Sequence, residues 1–468
     1  LSIGLRSERG PILAAIMLST SLVALDSTII ATAVLTITDQ LGGFAQFPWL
    51  FSIYLLAQAV TVPIYGKLAD MVGRKPVMLF GIGVFAVGSL LCGLATSMIG
   101  LIAFRAVQGI GAGAVSPISM TIAGDIYTVQ ERAKVQAYLA SVWAASSVLG
   151  PLLGGVFSEY ISWRWIFLIN LPLAALAAWM ILRKFTESAP RQSHRIDYLG
   201  AGLLTVGAGA LILALLEGGQ AWAWNSPASL ALFAGGAIVL AGFALVERRA
   251  ANPILPLWVF HRRIVVASSL ASLLVGAILL GLTSYVPTFA QGVLGSGALL
   301  AGLTAGALTL GWPVTASQAG KVYLRIGFRS TALIGSVLAV LGAASLLLVD
   351  EDSTLLQVAI GCFVVGMGMG LVASPTLIAA QASAEWSERG VVTATNIFAR
   401  SIGSAVGVAV FGALVNARLG KVEHPAAAAL APAVHLVFLG VAAMAVVLIG
   451  AAAVMPRRSE GNPVNASA

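Results

Sequence analysis

The sequence predicts an all-α polytopic membrane protein, on three observations. Apolar residues are in excess, they form runs long enough to cross a bilayer, and the basic residues are confined to alternate loops. Of 468 residues, 59% are hydrophobic and 9% are charged, where an ordinary soluble domain carries about 25% charged. A soluble chain of this length needs polar groups to cover its surface, and this one lacks them. The runs hold about 20 apolar residues, the length that carries a helix across the hydrocarbon. Strands of a membrane barrel would alternate apolar and polar residues in runs of about ten; these runs are apolar throughout. The 51 glycines suit helices that pack closely with no hydrophobic drive between them.

Taken in order, the runs predict fourteen spans, at 11–36, 48–65, 76–96, 99–123, 135–157, 165–182, 198–216, 227–246, 264–290, 299–319, 330–349, 354–380, 391–415 and 432–455. Residues 1–10 are polar and basic and read as a cytoplasmic N-terminus. The first run is too long for a cleaved signal peptide and is read as a retained helix. A first six-helix half then covers 11–183, a linker 184–197 and a helix pair 198–247. A second linker at 248–263, a second six-helix half at 264–455 and a tail at 456–468 complete the chain.

Charge sets the direction. Of 26 Lys and Arg residues, 21 fall in the termini and in alternate loops, against Arg164, Arg418 and Lys421 in the opposite loops. Arg105 and Arg400 lie within spans. Basic residues mark the cytoplasmic side, so both termini are expected there. The net charge of +8 therefore reports orientation in a bilayer and not an affinity for nucleic acid.

Enzyme chemistry finds little support. Cys92 and Cys362 are far apart in apolar runs and make no disulfide framework or metal spacing. His194, His261 and His424 are in loops, and His435 lies near the outer end of the last span. No HExxH, nucleophile elbow or phosphate loop occurs. Without an ATP-binding domain, any pumping must draw on an ion gradient; no cofactor is expected, with protons as the coupling ion.

The two ends of the chain resemble each other. Val60-Thr61, Gly66-Lys67 and Gly73 recur as Val314-Thr315, Gly320-Lys321 and Gly327, at an offset of 254. Gly109, Gly111 and Gly113 recur as Gly366, Gly368 and Gly370, Glu131-Arg132 as Glu388-Arg389, and Gly150 as Gly407, at an offset of 257. Both copies begin on the cytoplasmic side, so the repeat is parallel, with the substrate site expected between the halves. That arrangement belongs to transporters.

Motifs narrow the reading. Gly66-Lys67-Leu68-Ala69-Asp70-Met71-Val72-Gly73-Arg74-Lys75, after the second span, resembles the signature loop of the major facilitator superfamily. Its content is a turn at Gly73, the basic Arg74 and Lys75 bridging helix ends, and Asp70 as charge partner or cap. Met71 departs from the family's basic residue, and Leu324 stands where the second copy needs its acid. Ser146 to Gly155, with Gly150, Pro151, Gly154 and Gly155, is similar to the antiporter motif of drug:proton exchangers in that superfamily. Trp163-Arg164-Trp165 through Asn170-Leu171-Pro172 continues the likeness. Leu25-Asp26-Ser27-Thr28 in span 1 and Arg105-Ala106-Val107-Gln108-Gly109 in span 4 resemble motifs of the fourteen-helix drug:proton antiporters. Leu35 stands where that family has a proline, which implies a gentler bend in span 1. The resemblance implies a major facilitator fold of two six-helix halves plus two inserted helices. It also implies a monomer in a bacterial cytoplasmic (inner) membrane, with lipophilic small molecules, protons and the bilayer as its partners.

Asp26 is the one acid deep within a span, where a charge needs a partner, water or a purpose. Counted from Pro11, it is expected beyond the midplane toward the outside. Protonation and binding of a cationic substrate there would exclude each other, which is the coupling an antiporter needs. Arg105 and Gln108, three apart on one helix face, are expected to stabilise or pass that proton. Trp143 and Trp312 are cavity aromatics or lipid-facing bulk. Arg400 binds an anionic substrate group or stabilises packing. The function expected is export of lipophilic, cationic compounds in exchange for protons. Export of one endogenous lipid, siderophore or metabolite is the nearest alternative; a receptor or a membrane-embedded enzyme is the alternative of another class.

Overall fold

The computed structural model describes all residues except 1–3, 5–6, 128, 188–196, 219–220, 251–252, 254–256, 385–388, 421, 423–424 and 457–468. Fourteen helical stretches among the described residues are long and apolar enough to cross a membrane. The first eight are α1 (Gly10–Leu41), α2 (Phe44–Gly66), α3 (Arg74–Gly93), α4 (Met98–Ala123), α5 (Ser141–Ile161), α6 (Trp165–Lys184), α7 (Tyr198–Glu217) and α8 (Pro227–Glu247). The remaining six are α9 (Arg263–Gly292), α10 (Ala298–Ile326), α11 (Phe328–Leu346), α12 (Leu355–Ala382), α13 (Thr395–Leu419) and α14 (Ala427–Val454). Regular helix carries α2 on to Val72 and α4 to Ile126, and begins α5 at Val129 and α13 at Arg389.

The ends of these helices follow local chemistry. Gly73 separates α2 from α3 at φ +113° and Gly327 separates α10 from α11 at φ +84°, a region only glycine enters freely. Each glycine N–H closes its helix, on Ala69 O (3.1 Å) and Tyr323 O (2.9 Å). Thr354 and Gln357 cap α12 reciprocally, satisfying two of the free donors at a helix start. α1 departs from expectation. A 3₁₀ turn at Ile30–Ala33 joins its two α-helical parts. The run reaches Leu41, so Asp26 lies halfway along it and not toward the outer end.

The chain forms two compact units, the first comprising Leu1–Ile254, Gly297–Gly302 and Gly420–His424 and the second Leu255–Ser296, Leu303–Leu419 and Pro425–Ala468. Within the first, α4 packs on α2 and α3, α1 packs on α4, α5 and α6, and α3 on α6. α7 and α8 pair with each other, and α7 leans on α2. Within the second, α11 packs on α12 and α14, and α9 on α12, α13 and α14. Each of these five pairings, moved back by eight helices, is a pairing of the first unit. The glycine contacts repeat as well. The face of Gly109 meets the backbone of Tyr54, Gly111 meets Phe85 and Gly113 meets Thr61; Gly366, Gly368 and Gly370 meet Leu308, Ala339 and Thr315 in the same way. Small residues let the backbones approach where packing is the main attraction between helices in lipid.

Candidate functional site: a buried carboxylate and its donors

Four helices of the first unit bring polar side chains to one point. Asp26 on α1 is fully buried, as are Ser89 on α3, Gln108 on α4 and, at 1% exposure each, Arg105 on α4 and Asn170 on α6. Arg105 Nη1 donates to Asp26 Oδ2 at 2.6 Å. Gln108 Nε2 donates to Asp26 Oδ1 at 2.7 Å, and Asn170 Nδ2 to the same oxygen at 3.3 Å. Both amides also reach Ser89 Oγ, at 2.7 and 3.3 Å. Arg105 is held from the other side by Leu50 O (3.0 Å) and Gln108 Oε1 (2.7 Å). Its guanidinium lies 4.0 Å from the ring centre of Tyr54 and 5.9 Å from that of Phe167, a cation–π arrangement strengthened by burial. A buried ion pair survives only when its remaining lone pairs and protons are bonded. Here Leu50, Gln108 and Asn170 supply those bonds, and Ser89 holds the two amides in place.

The sequence named three members of this cluster, Asp26, Arg105 and Gln108. It did not single out Ser89, Tyr54 or the Leu50 carbonyl, and it noted Asn170 only within a motif. An asparagine and a serine inside apolar spans are themselves signals, because polar groups there must find partners. Close helix packing brings them in. Gly88 faces the Gln108 backbone, and Gly150 and Gly154 of α5 press against Thr28 and the Ile29–Thr32 turn of α1. The antiporter-motif glycines thus hold α1 at the 3₁₀ turn just beyond Asp26, where Thr28 Oγ1 also donates to Ser146 O at 2.9 Å. Pro151 sits inside the same helix, and Gly155 lies one residue past Gly154. The Trp-Arg-Trp stretch fastens the far end of α1: Trp163 Nε1 and Arg164 Nη1 both donate to Gln40 Oε1, at 2.9 and 3.4 Å.

The loop from Gly66 to Lys75 is a second polar region of the same unit. Arg74 Nε pairs with Asp125 Oδ2 at the end of α4, 3.0 Å away. The Arg74 N–H donates to Glu187, which caps the start of α3. Lys75 Nζ donates to Leu182 O and Phe185 O at 2.8 and 2.7 Å, a basic group on the carbonyl end of α6 as the helix dipole favours. Gly66 faces open space, and the side chain of Asp70 lies outside the described residues. Of the other residues singled out in the sequence, Trp143 on α5 is 43% exposed. Trp312 on α10, in the second unit, is half-buried, and Arg400 on α13 is exposed.

Comparison with known proteins agrees with this architecture. The family model for the Major Facilitator Superfamily matches residues 16–408. The chain is 37% identical over 389 residues to Multidrug resistance protein 3 of Bacillus subtilis (strain 168), covering 83% of this chain and 76% of the relative. It is 35% identical over 418 residues to Multidrug transporter protein MdtP of the same organism, covering 89% and 77%. Among solved structures, a peptide transporter POT in complex with sulfate superposes with a TM-score of 0.70 at 16% identity, covering 97% of this chain and 98% of that one. A bacterial homolog of the human lysosomal transporter Spinster superposes with a TM-score of 0.68 at 15% identity, covering 95% and 96%. With fourteen apolar helices, a parallel repeat and these relatives, the chain belongs to the Major Facilitator Superfamily and is a membrane transporter, not an enzyme.

Proposed function

We propose that this transporter exports lipophilic small molecules from the cytoplasm in exchange for protons, by alternating access of its two halves, and that Asp26 takes up and releases the proton. The observation that carries the reading is the sealed carboxylate with three donors on its two oxygens. Ionised, it accepts all three. Protonation turns one oxygen from acceptor into donor, so at least one of Arg105, Gln108 and Asn170 must let go. Arg105 keeps Leu50 O, Gln108 Oε1 and the Tyr54 face, so its charge stays accommodated. One proton is thereby converted into a loss of bonds between α1 and α4 or α6. A hydrogen bond to a charged group is worth about 1.5–3 kcal/mol, a sizeable part of the ~5.5 kcal/mol that turns a 1:99 equilibrium into 99:1. In this state Asp26 has no exposed surface, so substrate does not reach it. Its charge serves the proton, and the attraction of cations expected from the sequence has no support in this geometry.

Relatives named for multidrug resistance and multidrug transport support export of drug-like compounds. The test is flux into everted vesicles. Acid-inside vesicles should accumulate a lipophilic dye uphill and lose it on adding an uncoupler; accumulation indifferent to the gradient counts against proton exchange. The segregation of Lys and Arg supports both termini in the cytoplasm, and the relatives from Bacillus subtilis support a bacterial inner membrane. A reporter active only in the cytoplasm should be active at the C-terminus and silent in the 221–226 loop; activity in that loop contradicts the orientation.

A further inference from the structure

Arg400 stands apart from every other charge in the spans. It is exposed, yet it lies inside α13, five residues past the start at Thr395 of a stretch apolar enough to cross a membrane. Arg105, the other arginine within a span, is 1% exposed and bonded through Nε and Nη1 to Leu50, Asp26 and Gln108. Among the described residues Arg400 has neither a carboxylate nor a hydrogen-bond partner. An arginine within a span needs a partner, water or a purpose.

The surface of the helix around it differs from those of other helices in the second unit. Those helices carry large exposed apolar side chains: Leu310 on α10, Leu341 on α11, Ile360 on α12 and Val446 on α14. Among the described residues of α13 there is none. The Arg400 face instead carries Thr393, Asn396 and Ser404, at helical spacings of seven, four and four residues from Arg400. Asn396 and Ser404 are buried, Asn396 being bonded to Ser272 (2.5 Å) and Ser268 (3.3 Å) on α9. The backbone on the Arg400 turn is fixed because Gly276 of α9 lies against Arg400 O and Gly403 against Leu273. The result is a rigidly mounted, unpaired guanidinium on a polar helix face at membrane depth. A guanidinium offers a planar fork of donors that matches a carboxylate.

We propose that Arg400 is a substrate-binding residue that selects compounds bearing an anionic group, an organic carboxylate above all, on a lipophilic body. The proposal deepens the export reading and rests on it. It turns the expected charge preference around: the exposed charge is positive, and the negative one is sealed.

The test uses inhibition of ethidium uptake into everted vesicles by an aryl carboxylic acid and by its methyl amide, which differ in charge and little else. In the wild type the acid should inhibit at lower concentration than the amide. Arg400→Gln should raise the acid's half-inhibitory concentration about tenfold and leave the amide's within about twofold. Arg400→Lys, which keeps the charge without the fork, should fall between. An acid no better than its amide in the wild type overturns the proposal, as does an equal change for both, or for neither, in Arg400→Gln. Failure of the export reading shows separately, as ethidium uptake in the wild type that ignores the pH gradient.

Discussion

In the first repeat, Asp26, Tyr54, Ser89, Arg105 and Gln108 meet in the core; in the second, their places are taken by Val275, Leu308, Ala343, Cys362 and Val365. The correspondence follows from the packing contacts. Gly88 on Gln108 is matched by Gly342 on Val365, Gly109 on Tyr54 by Gly366 on Leu308, and Gly150 on Thr28 by Gly407 on Ala277. The five replacements are all apolar in character and fully buried. One scaffold therefore stands with either core. Replacing buried ion pairs by apolar groups is often neutral or stabilising, and the second repeat is that replacement made within one chain. The polar cluster of the first repeat is not what the fold requires, and its retention there is an argument for function.

The comparison is broken most severely by removing the cation. Arg105→Ala leaves Asp26 charged, buried and short of a partner, and should cost about 3–5 kcal/mol together with all uphill transport. Cys362→Ala, at the matching place, should cost about 1 kcal/mol and leave transport near normal. Thermal unfolding in detergent beside vesicle flux checks both; equal losses at the two sites would refute the asymmetry. Abundance of Arg105→Ala is expected to fall as well, because its guanidinium ties α4 to α1 and α2.

The shared scaffold predicts the opposite pattern, equal effects. Gly109→Ala and Gly366→Ala each push a methyl group into the backbone of the neighbouring helix, and overpacking of that kind costs about 1–3 kcal/mol. The two should lower the unfolding temperature alike. A large difference between them would show that the repeats do not share their packing.

Most of the fold was legible because its determinants are local. Apolar runs gave the fourteen spans to within a few residues for most ends, and Gly73 and Gly327 announced matching turns. The 3₁₀ turn of α1 was not legible, because it depends on Gly150 and Gly154 arriving from α5. At the site, Asp26 and Arg105 were conspicuous as charges in apolar runs, and Gln108 followed from helical spacing. Ser89, Tyr54 and the Leu50 carbonyl were not, since small polar and aromatic residues are common in spans and only tertiary packing shows which of them face a charge. Asp125 and Glu187, the partners of the Arg74 turn, come from helix ends far along the chain and carry no local signal.

The central claim is that the proton rides on Asp26, and Asp26→Asn tests it most directly. Asparagine keeps the size and one acceptor for Gln108 and Asn170 while removing titration, so the protein should still reach the membrane. In everted vesicles with an acid interior, the account predicts that Asp26→Asn lets a lipophilic dye equilibrate but never accumulate, with the same plateau before and after an uncoupler. Uphill accumulation at the wild-type rate, abolished by the uncoupler, would contradict it and move the proton to another acid.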